Sequence, residues 1–162
     1  MNKKGQISIE FMLVLIILLI YVQTMILPTI SVSMKSVEDV ARVGQTSFAA
    51  KKLANAITNI GQISGDAKQQ ISLYVPGNCG ATNCTVTCNN STARIDFTAP
   101  VSPDLNAIAA CPGYTCNGHA AAGTGFTCMI GASASNFTIA GSGSPRFVVL
   151  EKKGGVVNVT LQ

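Results

Sequence analysis

Six cysteines are the densest chemistry in the chain, Cys79, Cys84 and Cys88 in one cluster and Cys111, Cys116 and Cys128 in a second. Six thiols can pair in many ways, and spacing does not choose among them. With three in each cluster, complete pairing needs at least one bridge between clusters. Such a bridge closes a few tens of residues and is worth about 3 to 4 kcal/mol in the chain-entropy model. Zinc is the rival chemistry, since Cys111, Cys116 and Cys128 can be drawn as a site with His119. The spacings miss the close ligand pairs of structural zinc, His119 is the sole histidine, and an exported domain favours disulfides. The expected cofactor complement is none.

Asn83, Asn89, Asn90, Asn136 and Asn158 each open an Asn-x-Ser/Thr triplet, the acceptor pattern for N-glycosylation, with Asn89 and Asn90 overlapping. No hydrolase or phosphate-binding motif accompanies them. Gly-x-Ser-x-Gly is absent, as is a loop ending in Gly-Lys-Ser/Thr, and Asp96 and Asp104 stand alone. No residue nominates itself as catalytic, and the expectation is a protein that is not an enzyme. Lys51, Lys52, Lys152 and Lys153 occur as isolated pairs without interleaved aromatics, so no nucleic-acid footprint is indicated.

The remaining reactive residue is Glu10, and its setting organises the chain. It opens on Met-Asn-Lys-Lys-Gly-Gln-Ile-Ser-Ile-Glu, and residues 11–34 carry no charge. About 20 apolar residues span a hydrocarbon core of roughly 30 Å, and residues 7–27 meet that length. Lys3 and Lys4 hold the near end in the cytoplasm and send the rest outside. A carboxylate deep in a bilayer costs about 2.5 to 3.5 kcal/mol on insertion scales. If the chain were cut between Gly5 and Gln6, Glu10 would lie four residues beyond a new α-amino group. In a helical assembly the amine of one subunit could then neutralise the Glu10 of its neighbour. At about 4 Å and an effective dielectric near 20 that pair attracts by about 4 kcal/mol before desolvation. The bland reading, Glu10 at the headgroups of an uncut anchor, is equally open on chemistry alone.

Lys3, Lys4, Gly5, Gln6, Ser8 and Glu10 together resemble the class III signal peptide of archaeal type IV pilins. The resemblance implies that a prepilin peptidase recognises Lys4, Gly5 and Gln6 and cuts after Gly5. It also implies that Gln6, Ser8 and Glu10 serve assembly, Glu10 as the fifth mature residue. Bacterial type IV pilins commonly start with Phe, so Gln6 points to the archaeal branch. The match covers about the first 30 residues and is silent about the rest. An ordinary secretory signal has a shorter apolar core, and Ser31-Val32-Ser33 is a poor cleavage site for one. An uncut signal anchor is the third reading.

Two helical parts must position this terminus. Pro28 removes one backbone donor and presses on the carbonyl of Thr24, so a kink is expected, with a helix end at Leu27 as the competitor. Beyond it Val37, Val40, Ala41, Phe48, Ala49, Leu53, Ala56, Ile57, Ile60 and Ile63 recur at helical steps, an amphipathic helix ending between Asn59 and Ser64. If the parts were nearly continuous over residues 6–63, the rod would be on the order of 87 Å long. Its first half is apolar all round, suited to lipid or a bundle. Its second half carries one stripe, suited to a head domain.

From Gln70 the pattern turns to short β-like runs, 71–75, 85–87, 93–98, 126–130, 136–140, 146–152 and 156–161. The last two read as a hairpin around Lys153-Gly154-Gly155. Residues 107–110 suggest a helical turn, and 111–125 and 131–143 read as loops by composition. The expected fold is α+β: a long N-terminal hydrophobic helix continuing into an amphipathic helix packed on a small antiparallel sheet or sandwich, stapled by disulfides. Its parts are a leader (1–5), a helix (6–64, with 6–28 the membrane or filament core) and a β-rich extracellular head (65–162). Net charge is +4, and loss of Lys3 and Lys4 leaves 9 basic against 7 acidic residues.

The resemblance implies a structural subunit of a cell-surface filament, a helical homopolymer with possible other pilins, used for adhesion. Its implied partners are the prepilin peptidase, an assembly ATPase with its membrane platform, and the cytoplasmic membrane that holds the precursor. The runner-up is an uncut, membrane-anchored extracellular binding protein displaying a disulfide-rich β domain.

Overall fold

The computed structural model describes residues 3–77, 79, 82–101 and 115–162, with side chains from Ile9 onward. The turn expected at 107–110, Asp104, Cys111 and the start of the expected loop 111–125 lie outside the described residues. The fold is α+β. Helix α1 (Lys3–Tyr21) passes through a π turn (Val22–Ile26) into α2 (Leu27–Gln62). The chain divides into two compact units, one up to Val37 and one over Glu38–Gln162.

In the second unit, Ala49, Ala50, Leu53, Ala54, Ile57 and Ile60 of α2 are buried. The buried stripe is displaced from the expected one, because Val40, Phe48 and Ile63 are 58%, 68% and 49% exposed. Ala49, Ala50 and Ala54 share that stripe with Leu53, Ile57 and Ile60. Helix α2 stops at Gln62, within the expected window, and Lys152 supplies the reason. Its Nζ donates to Gly61 O at 2.8 Å and to Ile63 O at 2.5 Å, capping carbonyls that the helix end leaves unpaired.

Two sheets share one core with that helix. The first runs in the order β1 (Ala67–Tyr74), β8 (Pro145–Lys153), β9 (Val156–Leu161), β5 (Phe126–Ile130), β6 (Ser133–Ala134). The second runs β4 (Thr115–Ala121), β3 (Arg94–Pro100), β2 (Thr85–Asn89), β7 (Phe137–Ala140). The second is antiparallel throughout, and the first is antiparallel except where β5 joins β9 in parallel. The expected hairpin is present: Lys153 pairs with Val156, and Gly154 and Gly155 both take positive φ, 58° and 86°, as a type I′ turn requires. Val148 and Leu150 fill the core beside Val157 and Val159, while Phe147 points outward at 46% exposure.

Several strands differ from expectation. Ala93 takes φ 48° in the turn after β2, so β3 starts one residue later. Strand β1 begins at Ala67 because Lys68, Gln69 and Gln70 pair with Glu151, Leu150 and Val149 of β8 despite being polar. Strand β4 lies inside the expected loop 111–125. Its Gly and Ala have weak strand propensity, but it pairs with β3 along its whole length. Gly118 opposite Phe97 makes room for the ring, since a Cβ there would sit 2.5 Å from it. Likewise β6 occupies part of the expected loop 131–143, whereas β7 answers to the strand expected at 136–140.

Candidate functional site

Lys4, Gly5, Gln6 and Ser8 lie in the first turns of α1, and Glu10 follows on the same helix, exposed. Phe11, Ile17 and Tyr21 are 67%, 63% and 57% exposed, and none of the apolar window is buried within the chain. Uniform exposure of large apolar side chains is unstable in water, so this surface needs lipid or protein around it. The hydroxyls along it are suited to that surrounding. Thr24, Thr29, Ser33 and Ser36 each donate to the carbonyl four residues earlier at 2.7 to 3.0 Å, and Ser31 to that of Pro28 at 2.8 Å. Each donor is spent inside the helix, as a low-dielectric environment demands.

Pro28 does not end the helix, which overturns the competing reading. Proline has no N–H for Thr24 O and its ring presses on that carbonyl. The ladder widens just before it, with the Leu27 N–H reaching Val22 O. That π turn absorbs the mismatch and lets the backbone stay helical.

The head is held by its cysteines. Cys88 on β2 bonds Cys128 on β5, joining the two sheets, with Cα atoms 5.9 Å apart. Cys79 bonds Cys84 at a Cα separation of 5.3 Å, closing a short loop ahead of β2. Cys116 on β4 is also disulfide-bonded. One of these bridges joins the two sequence clusters, as parity requires. Cys116 and Cys128 therefore offer no thiolate to zinc, and His119 lies exposed on β4 opposite Asp96.

The asparagines are placed unequally. Asn83 and Asn136 are exposed, and Asn89, Asn90 and Asn158 are half-buried. Asn89 Oδ1 accepts from Ser91 N–H and Ser91 Oγ at 3.1 and 2.7 Å, and its Nδ2 donates to Asp96 Oδ2 at 3.4 Å. Asn90 holds the backbone of Cys128 with both ends of its amide. Nothing in the local sequence marks Asn90 for that role, or Lys152 for its cap on α2, because both partners are distant along the chain. A groove of about 630 Å³ also runs between α2 and the β1 edge, lined by Gly44, Phe48, Lys52, Tyr74 and Pro145. Lys52 Nζ donates to Ser72 O beside it at 2.8 Å.

No family model, curated protein or solved structure matches this chain. An apolar helix of membrane-spanning length joined to a disulfide-bonded β domain is the build of a membrane-anchored protein with its head on the oxidising side.

Proposed function

We propose that the chain is a structural subunit of a pilin-like surface filament. The membrane holds it as a precursor, a prepilin peptidase cuts between Gly5 and Gln6, and an ATPase-driven platform polymerises it through the N-terminal helix. Adhesion is the filament's use.

The observation that carries this reading is how far the exposed apolar surface extends. A bilayer covers about 20 helical residues, enough for residues 9–30. Yet Met34, Val37, Val40 and Phe48 are exposed by 71%, 71%, 58% and 68%. Lipid around residues 9–30 leaves these side chains in water, whereas neighbouring copies bundled along the same helix cover them. Moving residues 9–30 from lipid into such a bundle exchanges one apolar surrounding for another, so extraction need not oppose the full hydrophobic cost. Glu10, the acidic residue in that stretch, then pairs with the new terminal amine of a neighbour.

Glu10→Ala tests the assembly role. Export of the variant and its disulfide-bonded head should match the wild type, while filaments on negatively stained cells disappear. Normal filaments from this variant would refute the proposal.

A further inference from the structure

The five Asn-x-Ser/Thr triplets are alike in sequence and unlike in the fold. Asn90 follows β2, and its amide is fully engaged by one residue. Oδ1 accepts the Cys128 N–H at 2.5 Å, and Nδ2 donates to the Cys128 carbonyl at 3.0 Å. Strand β6 pairs with β5 at Met129 and Ile130, and beside them the Cys128 carbonyl is shared, accepting from Ser135 N–H at 3.0 Å as well as from Asn90 Nδ2, while the Cys128 N–H is taken by Asn90 Oδ1. Such a cyclic amide pair uses the Nδ2 hydrogen on the same side as Oδ1. N-glycosylation replaces that hydrogen, because in a trans secondary amide the sugar carbon sits on the side of the oxygen. Turning the sugar to the other side requires a cis amide, at about 2.5 kcal/mol.

Asn136 is the opposite case. It is exposed, and only its Oδ1 is engaged among the described residues, accepting the Asn90 N–H at 2.7 Å. Its Nδ2 is left for modification without loss of that bond. Asn83 is exposed on the short disulfide loop. Asn158 is half-buried on β9, a strand with neighbours on both sides.

We infer that Asn136 and Asn83 are glycan acceptors, and that Asn90 is withheld from modification because its amide holds Cys128 in place beside Cys88. The co-substrate is an oligosaccharide linked to a lipid phosphate. The acceptor Nδ2 attacks the anomeric carbon, and the carbon–nitrogen bond forms as the bond from that carbon to the phosphate oxygen breaks. The lipid phosphate leaves with the electron pair, and the amide loses one proton to a base of the transferase. A sugar on Asn90 would remove one of the two donors to Cys128 O, leaving Ser135 N–H, and break the two-ended hold of the amide on Cys128, opposing closure of the Cys88–Cys128 bridge. The inference needs an exported head and does not depend on filament assembly.

The test is peptide mass spectrometry, without reduction, of the full chain isolated from cells that N-glycosylate exported proteins. Sugar should be found on Asn83 and Asn136, with Asn90 bare in every molecule whose Cys88–Cys128 bridge is closed. Sugar on Asn90 beside a closed bridge would overturn the inference, as would a bare Asn136 or Asn83. Thr92→Ala deletes the Asn90 triplet and keeps the amide, so its glycan mass should equal the wild type; a lighter product contradicts the assignment. Asn90→Asp keeps the shape and removes the donor, and should lower the yield of the Cys88–Cys128 bridge several-fold. An unchanged yield would refute the positioning role.

Discussion

The two mapped disulfides should differ in what they contribute to the head, and the difference can be calculated. Cys88–Cys128 closes a sequence separation of 40 and Cys79–Cys84 one of 5. Loop-closure entropy grows with the logarithm of that length, which gives about 4 kcal/mol for the first and about 2 kcal/mol for the second. All four sulfurs belong to fully buried residues, so lost packing on exchange to alanine is similar for both pairs and largely cancels in the comparison. The contribution acts on the unfolded chain, where the Asn90 clamp does not exist, so the clamp does not substitute for the bridge. The assay is urea unfolding of the full chain in detergent micelles, comparing Cys88→Ala with Cys128→Ala against Cys79→Ala with Cys84→Ala. The long-loop variant should lose about 2 kcal/mol more, a midpoint about 1 M lower at the usual slopes. Equal losses, or a larger loss from the short loop, would refute the loop-entropy account.

Three further exchanges read single contacts in the same assay. Gly141 lies where an added Cβ would sit 1.9 Å from Pro76 O and 3.2 Å from Cys84 O, while its N–H donates to Cys84 O at 2.7 Å. Gly141→Ala should therefore destabilise by about 3 kcal/mol, since backbone has to move, and an unchanged midpoint would contradict that contact. Thr124 packs against Gly61 with a buried hydroxyl that has no hydrogen-bond partner among the described residues. Thr124→Val should be neutral or stabilising by up to about 1 kcal/mol; a clear loss would mean the hydroxyl is bonded. Lys152→Met removes the cation from the end of α2 and should lower stability by about 1 to 2 kcal/mol, with no change as the refuting result.

Local features of the sequence were legible because their causes are local. Gly154 and Gly155 determine a turn wherever they stand between apolar runs, and the stop signals after Asn59 place the end of α2 within three residues. Pro28 announced a disturbance correctly, but the outcome depended on whether the helix had reason to continue; the π turn supplied the accommodation. What escaped the sequence was set by distant partners. Strand β4 is a strand because β3 pairs with it, not because Gly118 and Ala120 favour one. The parallel pairing of β5 with β9, the outward turn of Phe147 and the exposure of Phe48 follow from how sheets and helix share one core. In the same way, Asn90 was visible as a glycosylation triplet and invisible as a clamp, since Cys128 lies 38 residues away.

The central claim is that the chain is cut ahead of its apolar helix and keeps that helix for assembly. The most direct measurement is the first residue of the mature protein from its native cells, read by peptide mass spectrometry. The account predicts a start at Gln6. A start at Met1 would contradict it in favour of an uncut anchored head, and a start near Met34 would show that the helix is removed on export.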